Sequence, residues 1–153
     1  MGFFGKSMQD KLIDHALPLL KDENKFEVYF KQFNGDGPID KKQFLLFKEH
    51  WKAILVSIIL DVYVTLGKER NVISTREFAF IRMQIMCAKE IINSDAHDLV
   101  GIYMGKENWD KTLSDACFGG KLSKEVREDV VNTVVEIYQF FEKSVEQYIW
   151  TQQ

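Results

Sequence analysis

The sequence predicts an all-α, single-domain helical bundle of about five to seven helices, with long central and C-terminal members. Three observations carry that expectation. The stretch Asp40 to Leu66 is strongly apolar and repeats its large side chains every three or four residues. A second such stretch follows Ser123 and runs nearly to the end of the chain. No segment shows repeated alternating strands between turn signals.

The elements can be justified in order. Ser7 is suited to cap a first helix with Met8, Leu12, Ile13, Ala16 and Leu19 inward, and Pro18 is expected to bend or end it. Asp22 or Asn24 can start the next segment. Phe26, Tyr29, Phe30 and Phe33 suit a helix, while Phe26, Val28 and Phe30 also suit a short strand. Asn34-Gly35-Asp36-Gly37-Pro38 is a turn.

Asp40 and Gln43 then have capping-box spacing, and Phe44, Phe47, Trp51, Ile54, Ile58 and Val62 form one face of the central helix. Leu55, Ile59 and Leu60 carry apolar character around its circumference, so the helix should be buried on more than one side. Its run from Ala53 to Leu66 is short of the ~20 residues that a bilayer needs, and Asp61 interrupts it, which favours a core helix over a membrane span.

Gly67 closes that run, and Ser74 with Glu77 opens another helix by a second capping box. Shorter pieces follow around Leu99 and Ile102 and around Trp109 and Leu113. In the last helix Val126, Val130, Val134, Ile137, Phe141, Val145 and Tyr148 are expected inward and Asn132 and Glu136 in water. Val131, Val135, Tyr138 and Phe140 widen its apolar arc.

Composition narrows the function. At 153 residues, 46% hydrophobic and 28% charged, the chain is long enough to bury its own core as one domain, residues 1–153. Its net charge of −3 and scattered Lys and Arg leave no basic stripe for phosphate contacts, so nucleic acid is not an expected partner. Cys87 and Cys117 have no CxxC or Cys/His spacing, and a reducing, cytoplasmic setting fits them. Phe3 and Phe4 follow a start that misses the myristoylation pattern by one position.

Signatures for phosphate cradling, zinc hydrolysis and serine hydrolysis are absent, and His15, His50 and His97 have no ligand-like spacing beyond Asp95-x-His97. Asp61 reaches a wet edge, pairs with a cation such as Arg82, or lines a pocket. The expectation is a non-enzymatic chain with no cofactor.

Residues 32–43 carry the most specific local pattern. Asn34, Asp36 and Asp40, with Gly37 and Ile39, match the third, fifth, ninth, sixth and eighth positions of the EF-hand calcium loop, which this stretch resembles. Gln32 and Gln43 replace the carboxylates of the first and twelfth positions. The resemblance implies an alternative function as a degenerate, calcium-responsive EF-hand-like protein with Asn34, Asp36 and Asp40 as ligands. Residues 71–78 resemble the latter half of such a loop, with Glu77 at its twelfth position.

The leading expectation is a small soluble module that works by protein–protein contact or self-association, as a regulator, adaptor or toxin-neutralising partner. The aromatic-rich C-terminus supports it, with Tyr148, Ile149 and Trp150 as candidate partner-binding residues. A helical sensor with a ligand pocket is a further alternative.

Overall fold

The computed structural model describes residues 7–86, 96–104 and 107–152, with side chains for all of these except 96, 97 and 149–152. Phe3, Phe4, Cys87 and Asp95, and the side chains of His97, Ile149 and Trp150, lie outside the described residues. Among the described residues the chain forms seven α-helices and no strand. They are α1 (Met8–Lys21), α2 (Glu23–Asn34), α3 (Lys41–Val62), α4 (Thr75–Met86), α5 (Ala96–Tyr103), α6 (Trp109–Cys117) and α7 (Lys124–Gln152).

The hub is α3, which touches each of the other six helices. Its side chains explain why. Phe47, His50 and Trp51, Ala53 to Val56, Ile58 to Leu60 and Val62 are all buried, so apolar surface on every side of the cylinder is covered by a neighbour. Lys41–Lys68 is long and apolar enough by composition to cross a membrane, yet 72% of its apolar window is buried within the protein, the pattern of a core helix.

An aromatic cluster welds α2 and the loop after α6 to the N-terminal half of α3. Phe30 meets Phe44 at 5.2 Å, Phe47 at 5.4 Å and Phe118 at 5.8 Å between ring centroids, and Phe33 meets Trp51 at 5.6 Å. These contacts decide the ambiguity in α2. Helical spacing puts Phe26, Phe30 and Phe33 together against the core and leaves Val28 59% exposed, whereas a strand would have split them.

Local signals act as their chemistry requires. The Ser7 hydroxyl accepts the Asp10 N–H, and Asp22 accepts the Lys25 N–H to start α2. Ser74 and Glu77 form a reciprocal capping box at 3.0 and 3.1 Å. Asp40 caps α3 by accepting the Lys42 N–H at 2.9 Å, but Gln43 does not complete a box: its amide reaches the Cys117 carbonyl at 2.9 Å. A tertiary partner 74 residues away holds the side chain in place of the local Asp40 N–H, from which a capping box would have it accept.

At two helix boundaries the structure selects or adds to the sequence reading: Pro18 does not end α1, and the central helix changes form before Gly67. α1 runs on past Pro18 to Lys21, although Pro18 has no N–H to give to the Asp14 carbonyl. After Val62, α3 widens into a π-helical turn, Tyr63–Lys68, with Tyr63 buried and its hydroxyl donating to the Leu12 carbonyl on α1. Gly67 sits in this turn where a Cβ would lie 2.9 Å from two carbons of Ile73, so only glycine admits that close approach.

Candidate functional site

A cavity of about 870 Å³ opens between α1 and α2 on one side and α7 on the other. Asp14, His15, Pro18 and Leu19 come from α1, Lys25, Phe26, Tyr29 and Gln32 from α2, and Asp22 from the residue between them. Trp51 and Leu55 of α3 close the bottom. α7 contributes a stripe at helical spacing from Asp129 through Thr133, Glu136, Ile137 and Phe140 to Ser144. The fifteen steps from Asp129 to Ser144 span about 22 Å of helix, which makes the site an elongated groove.

Each end of that stretch is tied across by a polar bridge. Gln32 donates its amide to the Asp129 carboxylate at 2.6 Å, joining α2 to α7. His15 Nε2 lies 3.0 Å from the Ser144 hydroxyl, joining α1 to α7. Between the bridges the helices stand apart, and the floor is apolar: Phe26, Trp51 and Leu55 are buried, with Ile137 and Phe141 beside them. Phe140 stands on the rim, 72% exposed.

Trp51 carries the one unmet polar requirement found among the described buried side chains. It is fully buried, and its indole N–H has no hydrogen-bond partner. Leaving such a donor unsatisfied costs about 1–3 kcal/mol.

The electrostatics of the groove are one-sided. Asp14, Asp22, Asp129 and Glu136 line it against a single ammonium, Lys25. His15 adds no charge near neutrality, because burial lowers its pKa. The Tyr29 hydroxyl is raised above its ordinary value, first by burial and then by Asp22 and Glu136 from opposite walls.

The His15–Ser144 pair has the separation of a base and a nucleophile, but its setting suits a structural tie. Both residues sit inside helices, where backbone N–H groups are consumed by the helical ladder and cannot form an oxyanion site. His15 is further held by stacking on Tyr148 at 4.8 Å and by an edge contact with Phe141 at 5.7 Å.

The sequence candidates fall as follows. Asn34 donates to the Gly37 and Pro38 carbonyls at 3.5 and 3.4 Å, and Asp40 is occupied as the α3 cap. Asp36 is exposed, and Gln32 and Gln43, at the ends of the loop, bond to Asp129 and Cys117. Among the described residues no group of three or more His, Cys, Asp or Glu is placed to hold a metal ion. Asp61 lies on an exposed edge, accepts a hydrogen bond from the Tyr138 hydroxyl, and is outside the groove. Tyr148 is half-buried against His15 and the core.

The groove itself was not anticipated. Its one legible trace is the mixed stripe on α7, where Asp129, Thr133, Glu136, Phe140 and Ser144 share a face too polar for a core and too aromatic for plain solvent. No family model, curated protein or solved structure matches the chain.

Proposed function

We propose that the protein is a recognition module that holds an amphipathic helix of another protein in the groove between α1, α2 and α7. It works by contact, without chemistry on what it binds, as a cytoplasmic regulator, adaptor or toxin-neutralising partner does. The observation that carries this reading is Phe140, a large aromatic side chain left 72% exposed on the rim of an apolar-floored groove. A buried aromatic anchor is the commonest source of interface energy, and an amphipathic helix laid into such a groove would bury this one. The length fits as well, since about 22 Å accommodates roughly four helical turns.

A small-molecule sensor is the second reading, and two observations favour it: a volume within the ~300–1,000 Å³ of ordinary ligand pockets, and the unpartnered Trp51 N–H. Native mass spectrometry of the purified protein separates the two, because a carrier retains a small molecule of constant mass.

The test of the main reading is affinity capture with three baits: the wild type, Phe140→Asp, and Leu45→Asp. Leu45 is exposed on α3 away from the groove. Both substitutions are at exposed positions, so each should alter stability by no more than about 0.5 kcal/mol. The expected result is a protein retained by the wild type and Leu45→Asp and lost from Phe140→Asp. Equal retention by all three overturns the assignment of the groove.

A further inference from the structure

We propose that the helix accepted by the groove is cationic, with Lys or Arg on both flanks of its apolar face. The inference rests on the groove being the binding site and adds the chemistry of the partner. Asp129 and Glu136 lie seven residues apart on α7, which puts both carboxylates on one wall two turns from each other. Asp14 and Asp22 lie on the facing wall, eight residues apart, at the middle of α1 and at its junction with α2.

A guest helix lying along the floor therefore has carboxylates on both sides at a spacing of about 10–12 Å, matching cations placed two turns apart on each of its edges. Its apolar face covers the exposed ring of Phe140 on the rim, above a floor in which Phe26, Trp51 and Leu55 are already packed. An anionic helix would place carboxylate against carboxylate on both walls, and such like-charge pairing is what interfaces use to reject a partner. Tyr29, between the walls, already experiences Asp22 and Glu136 together.

The test is a calorimetric titration with two designed peptides of about 14 residues, four helical turns, that share a leucine face, one with lysine and one with glutamate on the remaining positions. Wild-type protein should bind the lysine peptide at least about tenfold more tightly than the glutamate peptide. Raising ionic strength from 0.01 to 0.15 M should weaken that binding, since the screening length falls from roughly 30 to 8 Å. Asp129→Lys with Glu136→Lys should weaken it about tenfold or more.

Glu107→Lys with Glu128→Lys changes net charge equally at two exposed positions outside the groove and should leave the affinity within about twofold. Because Asp129 also accepts the Gln32 bridge, Asp129→Asn with Glu136→Gln removes the charge with little change of shape and should weaken binding in the same direction. Glutamate peptide binding as tightly as lysine peptide, and losing affinity in Phe140→Asp, overturns the cationic partner while the groove reading stands. No binding of either peptide, or binding that ignores both Phe140→Asp and the Asp129 and Glu136 variants, overturns both.

Discussion

The Tyr138 hydroxyl donates to the Asp61 carboxylate, tying the middle of α7 to the one carboxylate inside the apolar run of α3. Burial first, and then that bond and the Asp61 charge, push the Tyr138 pKa up to about 12. Burial does the same to the Cys117 thiol, also up to about 12, and raises Tyr63 and Tyr103. The folded protein therefore keeps protons on these groups that the unfolded chain gives up from about pH 9 to 10. Their contribution is fully present below about pH 9 and is lost as pH rises through 12. The urea midpoint should fall steeply over pH 9–12, and Tyr138→Phe should fall less between pH 10 and 12. Equal slopes for the two proteins would contradict this account.

On the acid side the histidines act in the opposite sense. His50 is buried, with Nδ1 2.7 Å from the Tyr103 hydroxyl, and burial lowers its pKa against a smaller upward pull from Glu49. His15 is lowered by burial as well. An unfolded histidine takes its proton near pH 6.5, so stability from neutral burial is present above that pH and is lost as pH falls. Melting temperature should drop between pH 7 and 5, with a smaller drop in His50→Asn. An unchanged slope in that variant would mean that His50 is not buried neutral.

Gly67 holds a tight packing joint. Gly67→Ala would drive Ile73, itself 2% exposed, out of the place it fills beside the π-helical turn. The expected cost by chemical denaturation is about 1–3 kcal/mol, the usual range for overpacking a core. Adding Ile73→Val should recover part of it, because the Cδ1 contact disappears. A neutral Gly67→Ala would show that the joint is slack.

For calcium, the geometry around Asn34 and Asp40 sets the expectation. Among the described residues no group of three or more His, Cys, Asp or Glu is placed to hold an ion there, so calcium should leave tryptophan fluorescence and melting temperature unchanged. Asp40→Ala should cost about 1 kcal/mol through the lost cap, with or without calcium. A saturable calcium-dependent rise in melting temperature would restore the ion-binding loop.

How much was legible follows from the range of each interaction. α3 could be read because burial on all sides leaves an unmistakable apolar run, and α4 because Ser74 and Glu77 act on backbone only three residues away. Gln43 could not be read, since its partner is the Cys117 carbonyl on the far side of the chain. The π-helical turn escaped for a similar reason: Gly67 is required by Ile73, and spacing alone does not show that the two meet.

The groove was hidden more deeply. Asn132 and Glu136 are exposed, as their polarity implies, but the surface they stand on is one wall of the groove that faces α1 and α2. Phe140 extends the apolar arc of α7 as expected, yet nothing covers it, because the bridges from Gln32 and His15 meet α7 only at Asp129 and Ser144. No periodicity in one helix records the distance to another.

The most direct measurement is amide hydrogen exchange on the protein alone and with the lysine–leucine peptide in excess. The account predicts added protection confined to the helices bounding the groove, over residues 14–32 on one wall and 129–144 on the other. Protection centred instead on α4 or α5, or none at saturating peptide, would contradict it.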